Sequence, residues 1–199
     1  DIQRSRGLGD VYKRQIAICD VSGSMSRYSR MLLHFMHVLT TLRNDVHTFL
    51  FGTRLTNVTR FLRFKDVDEA LAATSSAVED WSGGTRIGDC LKEFNFNWSR
   101  RVLGPGAIVL FITDGLDRGG GIGLSKQIKL IQKSSKRLIW LNPLLRYEEF
   151  APKPTGVTAI LPHVDEFRPI HSLESMDQLV NALSETNLQS RFNLSLIHI

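Results

Sequence analysis

Oxygen-bearing side chains stand at three separated places in this sequence, and their types match the ligands of a hard cation. An Asp-x-Ser-x-Ser run, a Gly-rich segment and the end of an apolar run contribute Asp20, Ser22, Ser24, Thr85 and Asp114. Together they supply two carboxylates and three hydroxyls, with no nitrogen or sulfur. Mg2+ binds such oxygen ligands, whereas zinc and copper prefer His and Cys. The residue types therefore predict an Mg2+ site, if the fold brings the three places together.

Two short apolar runs indicate how the two distant carboxylates meet. Residues 16–19 and 107–112 are apolar, and runs of this kind bounded by Gly and Asp are typical of strands buried on both faces of a parallel sheet. Ligands of open α/β sheets bind outside the carboxyl ends of the strands. Asp20 and Asp114 each follow one run, so both carboxylates are expected at the same edge of the sheet. Thr85 opens a predicted helix, which would begin near that edge.

Each of the three segments also has an ordinary structural interpretation. Asp20 or Ser22 could cap the helix that follows, because Asp and Ser are favoured at helix N-termini. Asp114 with Gly115 could form a plain turn, and residues 82–85 could be a flexible loop that ends in an N-cap. The metal-site interpretation is favoured because all three segments occur in one chain and two of them follow predicted strands.

The three segments, in this order, resemble the von Willebrand factor A (VWA) domain and its metal-ion-dependent adhesion site (MIDAS). The resemblance implies that Ser22, Ser24 and Thr85 bind Mg2+ directly, and that Asp20 and Asp114 act mainly through bound water. Mn2+ is the expected substitute. Neutral hydroxyl ligands leave charge on the open side of the cation, where Mg2+ usually keeps waters. An Asp or Glu of a protein partner can replace one of these waters, so such a site recognises a partner without catalysis.

A competing interpretation is an Mg2+-dependent phosphate-ester hydrolase, in which the cation polarises a phosphoryl oxygen. This class lacks an obvious nucleophile or base here, because both serines are assigned to the metal. A haloacid dehalogenase-type phosphatase would need a second Asp where Ser22 stands. The Gly-rich run at residues 119–126 lacks the Gly-Lys pair of a P-loop. We therefore favour a non-enzymatic domain, with Asp117 as a weaker candidate for the outer shell or the rim of the site.

Further motifs indicate a branch of the VWA family. They are RYSR at residues 27–30, WLNPL at 140–144, LPHVD at 161–165 and HSLES at 171–175. With the metal motif they resemble the CoxE-like branch, over residues 16–188. The resemblance implies an accessory factor that works with a MoxR-type AAA+ ATPase in maturing a metal cofactor. The client enzyme would be a molybdenum hydroxylase such as carbon monoxide dehydrogenase.

Alternating strand and helix patterns predict the α/β class, with a doubly wound, mostly parallel sheet flanked by helices, as in VWA and Rossmann-like domains. Strands are predicted at residues 16–20, 46–51, 55–62 (at an edge), 107–113, 137–141 and 158–161. Helices are predicted at residues 27–43, 66–78, 85–98, 124–134 and 173–183.

One domain is predicted, at residues 16–189, between two segments expected to be non-native or disordered tails. Residues 1–15 and 190–199 resemble translated sequencing-adapter sequence, and the first of them has no signal-peptide core. The two segments carry three of the five net positive charges, so the domain carries only +2, which does not favour nucleic-acid binding. Two cysteines without metal-ligand spacing favour a reducing, cytoplasmic compartment. No apolar run approaches the ~20 residues of a membrane span.

Overall fold

A six-stranded sheet forms the centre of the computed structural model, which describes residues 14–79, 81, 83–104, 106–144 and 155–184. The strands are β1 (Gln15–Asp20), β2 (Val46–Phe51), β3 (Leu55–Asn57), β4 (Ile108–Ile112), β5 (Arg137–Asn142) and β6 (Glu166–Pro169). Their order is β3-β2-β1-β4-β5-β6. Strand β3 is antiparallel to β2, and the other pairs are parallel. The predicted doubly wound, mostly parallel sheet is confirmed.

Helices connect the strands and cover both faces of the sheet. They are α1 (Ser29–Leu42), α2 (Thr59–Leu62), α3 (Val67–Ala77), α4 (Ile87–Asn97), α5 (Ser99–Val102), α6 (Leu124–Ser134), α7 (Thr155–Ile160) and α8 (Leu173–Ser184). Two 3-10 turns lie at Gly23–Met25 and Leu161–His163. Among the described residues, no helix combines the length and the apolar character that crossing a membrane requires.

The central strand β1 is covered on both faces, which explains its unbroken apolar sequence. Every residue of β1 is buried. Ala17 and Cys19 belong to the core formed with α1 and α8, whereas Ile16 and Ile18 belong to the core formed with α4 and α6. Successive side chains of a strand point to opposite faces, so a strand between two helical layers needs apolar residues at every position.

Most of the predicted elements agree with the structure to within two residues at each end. Helix α6 has the predicted bounds, and α3 begins one residue later than predicted because Asp66 is its N-cap. The Asp66 side chain accepts the N–H of Glu69 at 2.8 Å. This bond satisfies one of the N–H groups that have no partner in the first turn of a helix.

The predicted edge strand at residues 55–62 is shorter than expected. Strand β3 does lie at an edge of the sheet, but it ends at Asn57, and α2 begins at Thr59. The Asn57 side chain accepts a hydrogen bond from the Thr59 N–H at 3.0 Å and another from the Thr59 hydroxyl at 2.7 Å. Such local bonds from a short polar side chain compete with strand extension, so the chain turns where the alternating polar pattern predicted a longer strand.

The predicted strand at residues 158–161 is wrong. These residues lie in α7 and in the 3-10 turn that follows it, and the last strand is β6. Val157 and Ile160 are three residues apart and both fully buried, which is the spacing of one helix face. The Thr158 hydroxyl donates to the Thr155 carbonyl at 2.9 Å. Packing of this helical face therefore overrides the strand preference of the β-branched residues.

The predicted tails fall almost entirely outside the described residues. Of residues 1–15, only the last two are described: Gln15 begins β1, and Arg14 pairs with Asp45 at 2.9 Å. Residues 190–199 lie outside the described part of the chain. Their assignment as non-native or disordered tails stays a prediction.

Candidate metal-binding site

Strands β1 and β4 bring the two predicted carboxylates to one edge of the sheet. They are parallel neighbours, with Cys19 opposite Ile112. Asp20 ends β1, and Asp114 follows β4 by two residues. The chain leaves β1 for β2 on one side and returns to β4 on the other side. The crevice between these two strand ends is therefore the topological switch point, where ligands bind in open α/β sheets.

The Asp20 carboxylate is fully buried and held by two hydrogen bonds. Its exposed fraction is 0%. The N–H of Ser22 donates to Oδ1 at 2.8 Å, and the hydroxyl of Thr113 donates to Oδ2 at 2.7 Å. The Thr113 hydroxyl also accepts the N–H of Gly115 at 3.1 Å. Thr113 therefore links the end of β1 to the loop after β4.

Burial raises the pKa of Asp20 to about 6. Loss of solvation is the largest cause, and the charge of Asp114 raises the pKa further, whereas hydrogen bonds from Ser22 and Thr113 lower it. A group with such a pKa is partly protonated near neutrality. A nearby cation would restore the charged form, so this carboxyl is suited to a neighbouring metal.

The Asp114 carboxylate has one oxygen without a partner. It is 1% exposed, and its Oδ1 accepts the N–H of Leu116 at 3.0 Å. Its Oδ2 is buried and has no hydrogen-bond partner within the described residues. Burial raises the pKa of Asp114, whereas the Ser24 hydroxyl and the N–H of Leu116 lower it. Leaving a buried acceptor unsatisfied is costly, and a metal-bound water would satisfy it.

Of the two serines of the motif, Ser22 directly precedes a short 3-10 turn and Ser24 lies within it. Ser22 is 2% exposed and Ser24 is exposed, and their hydroxyl oxygens are 3.2 Å apart. The N–H of Met25 donates to the Ser22 carbonyl at 2.9 Å, which closes the turn. The N–H of Gly23 donates to the Gly83 carbonyl at 3.2 Å. This last bond fixes the serine turn to the segment that precedes Thr85.

Thr85 lies two residues before α4, so its predicted position near the start of this helix is confirmed. Its side chain is buried, at 3% exposure. The next residue, Arg86, donates its N–H to the Gly52 carbonyl at 3.0 Å, and the Thr85 carbonyl accepts the N–H of Arg118 at 2.9 Å. Backbone bonds to two other loops therefore hold Thr85 in place.

A cleft of about 330 Å3 brings the three predicted hydroxyls together. Its lining includes Ser22, Ser24, Thr85, Leu116, Asp117 and Arg118. Both buried carboxylates contact this lining, Asp20 through the N–H of Ser22 and Asp114 through the N–H of Leu116. The fold thus gathers the five residues that the sequence singled out, although they come from three distant segments.

Asp117 also lines the cleft, but its oxygens already accept backbone hydrogen bonds. Its Oδ1 accepts the N–H groups of Ile87 at 3.0 Å and Gly119 at 3.1 Å, and its Oδ2 accepts that of Gly121 at 3.0 Å. It therefore caps the first turn of α4 and shapes the Gly-rich loop after β4. Its place in the outer shell or the rim of a metal site stays a prediction.

One family matches most of the chain. The family described as VWA domain containing CoxE-like protein matches residues 6–176. The chain belongs to this CoxE-like VWA family. The predicted branch of the VWA family is therefore confirmed. No curated protein matches the sequence.

Solved structures share the fold of this VWA domain at low sequence identity. Proximal thread matrix protein 1 from the mussel byssus is 18% identical, with a TM-score of 0.56, over 87% of this chain and 47% of that one. A structure of the same mussel protein with a zinc-occupied MIDAS motif is 16% identical, with a TM-score of 0.53, over 86% and 46%. An aerotolerance-related membrane protein from Bacteroides fragilis is 15% identical, with a TM-score of 0.53, over 86% and 98%. This chain spans less than half the length of the mussel protein.

The donor set in the cleft of the VWA domain fits a hard cation. Within the described ranges, no group of three or more His, Cys, Asp or Glu side chains could hold a metal. A cation in the cleft would therefore depend on hydroxyl oxygens, and these are present with two carboxylates behind them. The unpartnered Oδ2 of Asp114 fits the same group. The residues present match Mg2+ or Mn2+ better than a soft metal.

Three residues at this site were not predicted from the sequence. Thr113 bridges the two strand ends, as described, and its position directly before Asp114 is the signal that could have found it. Gly156 is the second residue of α7, and a Cβ added to it would overlap the Gly115 carbonyl oxygen. Arg118 lies in the cleft. The roles of Gly156 and Arg118 depend on how distant segments pack, so no local sequence pattern predicts them.

Proposed function

We propose that this VWA domain is a non-enzymatic, Mg2+-dependent protein-interaction domain. In this proposal Ser22, Ser24 and Thr85 bind the cation directly, and Asp20 and Asp114 hold its bound waters. The observation that carries the proposal is the convergence of three hydroxyls on one cleft, backed by two buried carboxylates. When bound, the cation supplies a position that accepts an oxygen ligand from another molecule.

The distribution of charge supports an acidic partner. The two carboxylates closest to the hydroxyls are withdrawn from solvent, at 0% and 1% exposure for Asp20 and Asp114. The hydroxyls that line the cleft carry no charge. A divalent cation held in this way keeps uncompensated charge on its open side, where an Asp or Glu of a partner is a ligand of opposite charge. The chain itself orients the ligands and leaves that side open.

The choice of cation rests on the donor set. Oxygen-only ligands favour Mg2+, with Mn2+ as a substitute, over softer metals. The mussel byssus protein with a zinc-occupied MIDAS motif has the same fold, which supports divalent-cation binding in a domain of this kind.

We also propose a specific setting for the interaction. The partner is a MoxR-type AAA+ ATPase, and the pair acts in the cytoplasm on a molybdenum hydroxylase such as carbon monoxide dehydrogenase during its maturation. Membership of the CoxE-like family supports this setting by analogy. The ATPase should be retained by this chain in Mg2+ and released by EDTA. Retention that is unaffected by EDTA would contradict a metal-dependent contact.

Thermal unfolding of the chain in EDTA and in increasing Mg2+ tests the proposed metal site. Ligand at a hundred times its dissociation constant should add about 2.7 kcal/mol to the free energy of unfolding. For a domain of this size, each kcal/mol raises the midpoint by roughly 2–4 °C. At that concentration we expect the midpoint to rise by about 5–11 °C, and to keep rising with the logarithm of the Mg2+ concentration. A flat response would contradict the metal site, and turnover of a panel of phosphate esters in Mg2+ would favour the hydrolase alternative.

Mg2+ binding is expected to strengthen as the pH rises through about 6, the pKa of the buried Asp20 carboxyl. Below this pH the carboxyl is protonated and no longer balances the charge of the cation. The metal-free protein should show the opposite trend. The folded pKa lies above the ordinary value of 3.8, so the folded state binds more protons between these values, and stability falls as the pH rises from about 4 to about 6.

Unfolding midpoints measured in EDTA and in Mg2+ at several pH values separate these two trends. The Mg2+-induced rise should be larger at about pH 7 than at about pH 5. Asp20→Asn keeps an acceptor for the Ser22 N–H but cannot ionise, so both trends should weaken in this variant. An equal Mg2+-induced rise at both pH values would show that Asp20 does not take part.

A further inference from the structure

Arg118 is a charged residue that lines the proposed metal cleft but is not one of the proposed metal ligands. It lines the same cleft as Ser22, Ser24 and Thr85, and its side chain is exposed. Its backbone N–H donates to the Thr85 carbonyl at 2.9 Å. The residue is therefore fixed directly beside one of the three proposed ligands.

The neighbouring glycine leaves room for the Arg118 side chain. A Cβ added to Gly84 would lie 2.6 Å from Cδ, 2.8 Å from Nε and 2.7 Å from Nη1 of Arg118. The guanidinium and its stem therefore lie along the backbone of Gly84, which also lines the cleft. Any larger residue at position 84 would push this side chain away.

The guanidinium of Arg118 has no ion-pair partner among the described residues. The adjacent carboxylate, Asp117, accepts backbone N–H groups at both of its oxygens. Once a cation is bound, the guanidinium and the cation repel each other unless an anion lies between them, because their charges have the same sign. An anion placed between the two positive groups removes this repulsion. The cleft therefore has the charge pattern of a receptor for an anion.

We infer that Arg118 is a specificity-determining residue, which binds the same partner carboxylate that meets the metal. The inference rests on the proposed function. A carboxylate has two oxygens, so one can meet the cation while the other accepts from the guanidinium, whose planar fork suits carboxylates. Leu116, 42% exposed, gives the cleft an apolar wall. This wall suits the methylene groups of an Asp or Glu side chain.

Acetate is a suitable probe of this contact in the full chain loaded with Mn2+. Bound Mn2+ shortens the NMR relaxation time of the acetate methyl protons only when acetate lies close to the metal. A titration with acetate therefore gives the affinity of acetate for the metal site. Arg118→Gln should weaken acetate binding by about fivefold or more, because a charge-assisted hydrogen bond is lost. Arg118→Lys keeps the charge but not the planar fork, so its affinity for acetate should lie between those of the wild-type chain and Arg118→Gln. Mn2+ affinity should rise slightly in Arg118→Gln, because a like charge is removed.

Two further variants separate the role of Arg118 from a general charge effect. Gly84→Ala displaces the Arg118 side chain while keeping its charge, so it should weaken acetate binding as Arg118→Gln does. Arg100→Gln removes the same charge from α5, which follows the end of α4 distant from Thr85, and should leave acetate binding unchanged.

The outcomes separate a failure of the role of Arg118 from a failure of the proposed function. Unchanged acetate affinity in Arg118→Gln, with normal Mn2+ binding, would overturn the role of Arg118 and leave the proposed function standing. No acetate effect in the wild-type Mn2+ complex would contradict the proposed function itself. Inorganic phosphate could instead bind the cleft far more tightly than acetate and displace it, but only when Arg118 is present. In that case the ligand is a phosphoryl group and the carboxylate assignment is wrong.

Discussion

Ser22→Ala and Asp114→Ala should each remove the stabilisation by Mg2+ of about 5–11 °C that we expect for the wild-type chain. Ser22→Ala deletes a hydroxyl of the cleft but keeps the backbone N–H that donates to Asp20 at 2.8 Å. Asp114→Ala deletes the carboxylate whose Oδ2 has no partner within the described residues. Both variants should also lose the Mg2+-dependent binding of the ATPase that we propose as the partner. Thermal unfolding in EDTA and in Mg2+ measures the first effect, and affinity capture measures the second.

A matched control lies in the same loop. Ser26 is an exposed serine beyond the motif, so Ser26→Ala should respond to Mg2+ like the wild-type chain. In EDTA, both site variants should still unfold cooperatively, because the lost groups contribute to metal binding rather than to the apolar core. A normal Mg2+ response in Ser22→Ala or Asp114→Ala would show that the cation binds elsewhere.

Trp140→Ala should destabilise the domain by about 3–5 kcal/mol and also weaken Mg2+ binding. Trp140 is fully buried on β5, and the centroid of its ring lies 4.3 Å from the centroid of the Phe167 ring. Truncation of a buried aromatic residue leaves a cavity and removes contacts. The indole N–H also donates to the Thr113 carbonyl at 2.9 Å. Loss of this bond loosens the residue whose hydroxyl holds Asp20.

Phe94→Ala is the control for the second part of this prediction. Phe94 is equally buried, packs edge-on against Phe49 and lies near the end of α4 that is distant from Thr85. It should cost a similar free energy of unfolding, about 3–5 kcal/mol, while the Mg2+ affinity stays near that of the wild type. Denaturant unfolding gives the stability, and Mg2+ titration gives the affinity. Equal Mg2+ affinities in the two variants would contradict a link between Trp140 and the site.

The positions of Asp20 and Asp114 could be predicted because each follows a strand that the sequence marks clearly. An apolar run buried on both faces is a local signal, and the carboxyl ends of parallel strands meet at one edge by geometry. Thr85 was predicted from the start of a helix. The strand expected at residues 158–161 was wrong because β-branched residues can also line one face of a short helix when Val157 and Ile160 pack inward.

The contacts that complete the site could not be predicted, since they join segments far apart in the chain. The place of Arg118 depends on the absence of a side chain at Gly84, and the place of α7 depends on the close approach of Gly156 to Gly115. Neither Arg118 nor Gly156 belongs to a motif or a periodic pattern. Their roles follow from contacts between loops that are far apart in the chain, and such contacts leave no local pattern in a single sequence.

The hydrogen bond from Thr113 to Asp20 joins residues 93 positions apart, and this separation has a consequence for the order of folding. Closing so long a loop costs entropy before the contact returns any stabilisation. A chain emerging from the ribosome has Asp20, Ser22 and Ser24 early, but it cannot build the site until β4 has been synthesised and paired with β1. In the proposed function, a cation therefore cannot template the first half of the domain, because its site forms only after β4 has paired with β1.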